Sequence, residues 1–401
     1  MLGGGYGPAV ELAMKAIVKV GDTVKAEKLI PIASSHTGNA GLLSTWGSYV
    51  GVLKQLAEYG AKVNVPTSEN PYPYDIRTPL GPSEEFEIPE PFKKSGQLEG
   101  YYRTLGIMPT WTCTPYQYGN IPRFGQHISW EESSAVVFVN AVLGAKTNRE
   151  SILMDVLTAI AGRTPYHGLH INENRRGETL CVIQKNKLTS ADYQAIGYYV
   201  GRTVGNKIPV LDGMPRDISV SDLKNFGSTA AASGAVAHFH VPGVTPEARS
   251  LEDAFGGEKP TDKIEIGLRE IKETSEEMSA IQEGEKIDVV AVGCPHYYIE
   301  EIQAIAKMLN GKKVNKNVQF WVFAHDTSRT LAQKLGYANV IEASGARLVT
   351  GCPLLLSKYP HYDKMRIMSD SGRMCYYVDL IAYGSLEDCV KSAVEGKVVR
   401  S

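Results

Sequence analysis

Six cysteines, at positions 113, 181, 294, 352, 375 and 389, carry the broadest chemistry in this chain. None forms a Cys-x-x-Cys pair, and their scatter does not resemble a disulfide framework. In a reducing compartment each is either a small buried hydrophobe or a ligand or nucleophile. Two of them share one tripeptide, Gly293-Cys294-Pro295 and Gly351-Cys352-Pro353, each after an apolar run. Glycine permits a tight turn there and proline stiffens the exit. Cys113 lies in Thr112-Cys113-Thr114-Pro115-Tyr116, among turn formers and aromatics, where a core role is less natural. Cys181 in an alternating strand, Cys389 on an apolar helix face and Cys375 beside two tyrosines read as structural.

Three thiolates from distant loops suit two kinds of metal chemistry. An iron–sulfur cluster with only three cysteine ligands keeps one iron open as a Lewis acid. Three ligands and a water also describe catalytic zinc. Spacing leaves both open. Polar residues crowd the same stretches: Asn120, Arg123 and His127 after Cys113, then Glu131 to Ser134, Asn148-Arg149-Glu150, and His170 with Glu173 to Arg176. Arginines bind carboxylate or phosphate through paired hydrogen bonds. Ser34-Ser35-His36-Thr37-Gly38-Asn39 is a hydroxyl-rich loop that suits an anion or an ordinary helix cap. No phosphate-binding Gly-Lys-Ser/Thr loop, Gly-x-Ser-x-Gly elbow or His-Glu-x-x-His is present.

The elements that must position these residues are clearest in the last third. Ile287–Val292, Gln319–Ala324, Arg347–Thr350 and Lys364–Met368 read as β-runs. Helices at Ile299–Leu309, Thr327–Leu335 and Ser385–Val394 alternate with them. That alternation predicts an α/β fold with parallel sheets flanked by helices, where ligands bind beyond the strand C-termini. Upstream, helical spacing covers Ala9–Val20, ended by Gly21, then Ile152–Ala161, Asp192–Val204 and the small-residue stretch Asp222–Ala237. Strands are expected at Leu29–Ile32, Ala61–Val65, Leu180–Ile183 and Pro209–Leu211, and Ser134–Val142 reads as a β-run. Pro66 to Pro91, with seven prolines, reads as an extended loop. The charged stretch Glu252–Glu285 marks a domain boundary. The expected division is 1–280, itself open to subdivision, and a C-terminal α/β domain over 281–401.

At 401 residues, with 43% hydrophobic and 21% charged residues, the chain has an ordinary globular composition. A net charge of −2 gives no reason to expect nucleic-acid or acidic-membrane binding. No membrane-length apolar stretch or signal-peptide pattern is present, so a cytoplasmic location is expected.

Taken together, these motifs resemble aconitase X, the divergent branch of the aconitase superfamily. The resemblance covers nearly the whole chain. It is carried by Thr112–Tyr116, Gly119–Gly125 with His127, Trp130–Ala135, Gly144–Glu150, Gly162–Pro165, Gly168–His170 with Glu173–Arg175, Ser233–Val236, Gly243–Ala248 and Gly293–His296. It implies an aconitase-like multi-layer fold with a cluster at strand C-terminal ends between domains, and a hydro-lyase activity. The family's known substrates are cis-3-hydroxy-L-proline and mevalonate 5-phosphate, and Ser35-His36 looks more like the hydroxyproline branch. An iron–sulfur cluster, 4Fe-4S or smaller, falls on Cys113, Cys294 and, by position, Cys352. His36, Glu132, Ser133 and Asn148 are the implied catalytic residues. Ser35, Thr37, Asn120, Arg123, Arg149 and Arg175 are the implied substrate-binding ones. A heterodimer is implied, with a small swivelling subunit that carries the catalytic serine and without which this chain is inactive. Three departures stand out: a short N-terminus, a longer loop at 34–51 with Ser48 in place of an acid, and Thr350-Gly351 and Pro353 around Cys352. Two other readings stay open: a zinc-dependent lyase or hydrolase, and a non-catalytic subunit responding to iron or oxygen.

Overall fold

The apolar run expected as a strand from Ser134 is instead a helix, Ser133–Ala141, in the computed structural model of the chain. Every residue of it is buried, and a fully buried segment has no alternating face by which helix and strand could be told apart. The deciding signal is its start. The Glu132 carboxylate accepts the Ala135 amide at 2.6 Å, an N-cap that a strand would not need.

The structure describes residues 1–38, 46–72, 95–185, 187–354 and 364–400. Asn39, most of the proline-rich stretch and the residues following Leu354 lie outside them. No helix among the described residues is long and apolar enough to cross a membrane. The chain forms two compact units. One comprises Met1–Pro71, Ile88–Gly177 and Ala237–Lys259, and the other Tyr72–Glu87, Glu178–Val236 and Pro260–Ser401.

In the first unit, α1 (Pro8–Thr23), α2 (Trp46–Glu58), α3 (Ser95–Leu105), α4 (Ser133–Ala141) and α5 (Ile152–Ala161) surround short strands. The first helix runs through Gly21, the residue expected to end it. Proline at its first position suits a helix start, where the missing N–H has no partner to lose. Ile17, Leu53, Leu56, Leu98, Leu105 and Ile160 fill the core beneath these helices. Strands β1 (Leu29–Pro31) and β5 (Arg163–Pro165) pair antiparallel. Strands β2 (Ser35–Thr37), β3 (Thr67–Glu69) and β4 (Ser129–Trp130) form a parallel sheet in the order β3-β2-β4. No strand forms at Ala61–Val65: the strand begins after Pro66, inside the stretch read as loop.

The second unit holds two parallel sheets. One is β6 (Thr179–Ile183) between β7 (Pro209–Asp212) and β8 (Asp262–Ile266), with helices α6 (Ser190–Val204), α7 (Val220–Gly234) and α8 (Leu268–Glu277). The small residues of α7 serve close packing: a Cβ at Gly234 would lie 1.6 Å from the Gly201 carbonyl oxygen of α6. The other sheet runs β11 (Arg347–Val349), β10 (Gln319–Ala324), β9 (Val289–Tyr297), β12 (Ile367–Ser369), β13 (Ile381–Tyr383). Helices α9 (Ile299–Leu309), α10 (Asp326–Lys334), α11 (Tyr337–Ala343), α12 (Gly372–Tyr377) and α13 (Leu386–Glu395) accompany it. Strand order reverses at β9, which puts a topological switch point between β9 and β12, the place where open α/β sheets bind ligands.

Candidate functional site

Strand β9 does not end cleanly at Val292, as the apolar run suggested. Val292 pairs with Val322, but the next pair is Tyr297 with Ala324, so five residues advance on β9 against two on β10. The surplus is Gly293-Cys294-Pro295-His296, thrown out of the ladder at the sheet's C-terminal edge. Gly293 takes φ +98°, and a Cβ there would come within 2.2 Å of the Phe323 carbonyl oxygen. Only glycine fits this bulge.

The second Gly-Cys-Pro follows β11 on the same edge, with Gly351 at φ +103°. The two turns are joined. His296, fully buried, lies 2.8 Å through Nε2 from the Gly351 carbonyl oxygen. Burial pushes this imidazole down to about 3, so it stays neutral and donates its Nε2–H to the carbonyl. The Ser371 hydroxyl, just beyond β12, donates to the Cys294 carbonyl at 2.5 Å. The Cys352 amide donates to the Tyr72 carbonyl at 2.9 Å. Cys294 is 7% exposed and Cys352 is half-buried.

None of the six cysteines is in a disulfide. Burial raises the Cys181 thiol to about 12 and raises those of Cys375 and Cys389 as well. Cys181 and Cys389 are fully buried in the core and Cys375 is half-buried.

In the first unit the C-terminal ends of β2, β3 and β4 gather a second polar floor. Fully buried His36 reaches Ser68 Oγ at 2.9 Å through Nδ1 and Asn70 Oδ1 at 3.4 Å through Nε2. Burial lowers it to about 4, so it is uncharged. Asn120 donates from Nδ2 to the Ser68 hydroxyl and the Ser35 carbonyl, both at 2.8 Å. The Ser35 hydroxyl donates to the Ser129 carbonyl at 2.8 Å and the Asp155 carbonyl at 3.0 Å, and Thr37 Oγ1 lies 3.4 Å from Tyr49 Oη.

Cys113 rides on this floor. The Met108 and Thr112 amides donate to the Thr67 and Glu69 carbonyls at 2.8 and 3.1 Å, laying the loop along β3. The Thr114 amide then donates to Thr112 Oγ1 at 3.1 Å, and Tyr116 stacks on Phe138 at 4.0 Å. Cys113 is half-buried.

The remaining candidates are spread over this unit. Ser133 is the first residue of α4 and Glu132 its cap, with Glu132 also accepting from the Ser134 hydroxyl at 2.5 Å. Asn148 Oδ1 accepts the Leu169 amide at 2.8 Å, and its Nδ2 lies 3.1 Å from His167 Nε2. Arg123 and Arg149 are exposed. Arg175 is 2% exposed and fully engaged. It pairs bidentately with Glu247 at 2.5–3.1 Å and donates to Asn140 Oδ1 and to the carbonyls of Asn140, Ala145 and Leu169. No N–H of that guanidinium is left over.

Three residues of this floor escaped the sequence reading. Glu69 is fully buried, both carboxyl oxygens lack a hydrogen-bond partner among the described residues, and burial raises its carboxyl well above the ordinary range. It and Asn70 sit in the proline-rich stretch read as loop. Asp155, also buried and held protonated, is the one acid of an otherwise apolar helix, which was the signal available for it. The result is a floor of neutral donors and acceptors, suited to grip a polar substrate without burying a charge.

The three candidate ligands are divided, Cys113 in the first unit and Cys294 and Cys352 in the second. Among the described residues no three His, Cys, Asp or Glu side chains gather closely enough to hold a metal ion.

Comparison with known proteins gives a consistent picture. Residues 1–173, 177–276 and 287–395 match the models of the aconitase X first, second and third domains. The phosphomevalonate dehydratase large subunit of Methanocaldococcus jannaschii is 34% identical over 98% of this chain and 97% of its own length. The cis-3-hydroxy-L-proline dehydratase of Pseudomonas aeruginosa is 32% identical over 99% of this chain and 69% of its own length. The crystal structure of Thermococcus kodakaraensis aconitase X in its holo-form superposes with a TM-score of 0.86 at 32% identity, covering 98% of this chain and 97% of that one.

Proposed function

The chain belongs to the aconitase X family, and from that premise we propose that it is the large subunit of a hydro-lyase that removes water from a small hydroxy acid. Two named relatives are dehydratases of mevalonate 5-phosphate and of cis-3-hydroxy-L-proline. These are the two substrates to test. The near end-to-end match to a chain called a large subunit supports a small-subunit partner, and on this reading the base is a serine of that partner.

Cys113, Cys294 and Cys352 are the proposed ligands of an iron–sulfur cluster. The donor set fits: these thiols stand on loops and strand ends, with Cys294 and Cys352 on two turns joined at one sheet edge. When bound, a cluster with three cysteine ligands supplies an open iron as Lewis acid for the substrate hydroxyl. The chain's own residues do the rest. Arg123 and Arg149 attract the anionic group of the substrate, while Arg175, with Glu247, holds the loops around Asn140 and Leu169. Neutral His36, its ring nitrogens bonded to Ser68 and Asn70, holds Asn70 and, through Ser68, Asn120 in place to orient a substrate oxygen, rather than taking a proton. Ser35 and Thr37 position His36 through the strand they share. Glu132 fixes the start of α4 and so Ser133, and Asn148 fixes the turn at Leu169. Water loss then needs one proton removed beside the carbon that releases the hydroxyl.

The observation that carries this reading is the joined pair of Gly-Cys-Pro turns at one sheet edge. Anaerobic co-expression with the small subunit, followed by assay of both substrates, tests it. Appearance of the dehydrated product from one of them (an alkene from mevalonate 5-phosphate, or an enamine that tautomerises to the cyclic imine from cis-3-hydroxy-L-proline) supports the reading, and absence from both contradicts it.

A further inference from the structure

The second unit contains a cavity of about 930 Å³ with no part in the proposal above. It opens beside the C-terminal ends of β12 and β13, where Asp370 and Tyr383 lie, and under the starts of α6, α7 and α13. Its size is that of a small-molecule site.

Helix starts usually favour anions, but here each brings its own acid. Asp192, Asp222 and Asp388 stand at the third helical position, where the amide bonds the cap hydroxyl of Thr189, Ser219 or Ser385. That leaves the cavity's other carboxylates. Glu301 is paired with Lys224 at 2.7 Å, and Glu276 with Lys272 at 3.8 Å. Glu300 and Glu387 are exposed and have no cationic partner among the described residues. Asp370 accepts from the Tyr297 hydroxyl through Oδ2, while its Oδ1 is closed off from solvent and has no hydrogen-bond partner among the described residues. The one further cation on the lining, Arg400, donates to the carbonyls of Tyr383 and Ile281 at 3.3 and 3.1 Å.

An independent observation points to a ligand. Asn225 of α7 is 7% exposed, lines the cavity, and its side-chain amide makes no hydrogen bond among the described residues. Its amide atoms are not closed off from solvent, so they face the cavity and can bond what enters it. Around these acceptors the walls are apolar or aromatic, from Ala304, Met308 and the rings of Tyr297 and Tyr383.

We propose that this cavity is a binding site for an organic cation, a primary ammonium on a short apolar chain. The Asn225 carbonyl and the carboxylates of Glu300 and Glu387 offer the ammonium its acceptors. The apolar wall covers the chain. The site is separate from the dehydratase reading and stands or falls without it.

Titration calorimetry of the full chain with 1,4-diaminobutane tests this, with butane-1,4-diol and succinate as neutral and anionic counterparts. Saturable binding of the diamine alone is expected. It should weaken about tenfold, or about 1.4 kcal/mol, in the double variant Glu300→Gln with Glu387→Gln and in Asn225→Leu. The two glutamates are exposed, so that double variant keeps the test decisive if Asn225→Leu does not fold. No saturation by the diamine, equal binding in the folded variants, or binding of succinate or the diol to the same extent each overturns the proposal.

Discussion

His296 Nε2 stands 2.8 Å from the carbonyl oxygen of Gly351, and this bond ties the turn that carries Cys294 to the turn that carries Cys352. The two cysteines are 58 residues apart in the chain (352 − 294), and their turns follow strands with β10 between them. Replacing His296 by Ala leaves the Gly351 carbonyl without its donor, at a cost of about 1–3 kcal/mol. The informative readout is local: Cys352 in the metal-free His296→Ala chain should be alkylated faster, by about an order of magnitude, as local opening of its turn becomes easier. His296→Gln should restore part of the protection. Equal alkylation rates in all three proteins would show that the bond does not hold the turn.

The cysteines should sort into two groups. Cys113→Ser, Cys294→Ser and Cys352→Ser are each expected to lose most of the iron found in the anaerobically purified wild-type chain, and all of the activity. Cys181→Ser and Cys389→Ser should keep both and lose stability instead, by about 1–3 kcal/mol for a hydroxyl buried in a thiol's place. Iron analysis alongside chemical denaturation separates the groups. A wild-type chain containing zinc and no iron would return the question to the alternative metal.

The arginines should divide in the same manner. Arg175→Lys removes the bidentate pairing with Glu247 and strands buried carbonyls. We expect destabilisation of about 3–5 kcal/mol, as for other buried pairs broken at one partner. Arg123→Ala and Arg149→Ala touch exposed side chains and should leave stability within about 0.5 kcal/mol. Their effect belongs in KM for an anionic substrate, raised about tenfold or more. A normal melting curve for Arg175→Lys with a raised KM would assign that residue to the substrate instead.

Acid sensitivity follows from the buried imidazoles. Burial holds His36 at about 4 and His170 at about 3, against an ordinary 6.5. Below pH 6.5 the unfolded chain takes up protons at these positions while the folded chain does not. Each group therefore costs about 1.4 kcal/mol per pH unit, from 6.5 down to its folded value. Their contribution is complete above pH 6.5 and is lost as pH falls. The buried acids Glu69 and Asp155, raised above the ordinary carboxylate range, act in the opposite sense, so the readout is a difference: between pH 7.5 and 5 the denaturation midpoint should fall further, or rise less, in wild type than in His36→Gln. Equal pH dependence in the two proteins would contradict neutral burial of His36.

Much of this fold is legible in the sequence, and the failures share a cause. Ile299–Leu309 and Gln319–Ala324 are read to the residue because amphipathic spacing and flanking turns agree there. The segment after Glu132 misleads because full burial erases periodicity, and only its capping carboxylate distinguishes helix from strand. The Cys294 bulge is hinted at by Gly293 and Pro295, but its partner Phe323 is visible only in three dimensions. Arg175 shows the limit of residue type as a guide: an arginine among polar residues reads as a substrate anchor, whereas its buried contacts with Glu247 and four other polar atoms belong to the scaffold. Glu69 hides in a proline-rich stretch that carries no pattern.

The central claim is that this chain works as a dehydratase. It is tested most directly by following mevalonate 5-phosphate and cis-3-hydroxy-L-proline by NMR with the anaerobically prepared two-subunit complex. Loss of water from one of the two, abolished by Cys294→Ser, is the predicted result. An iron-loaded, folded complex that leaves both substrates unchanged would contradict it.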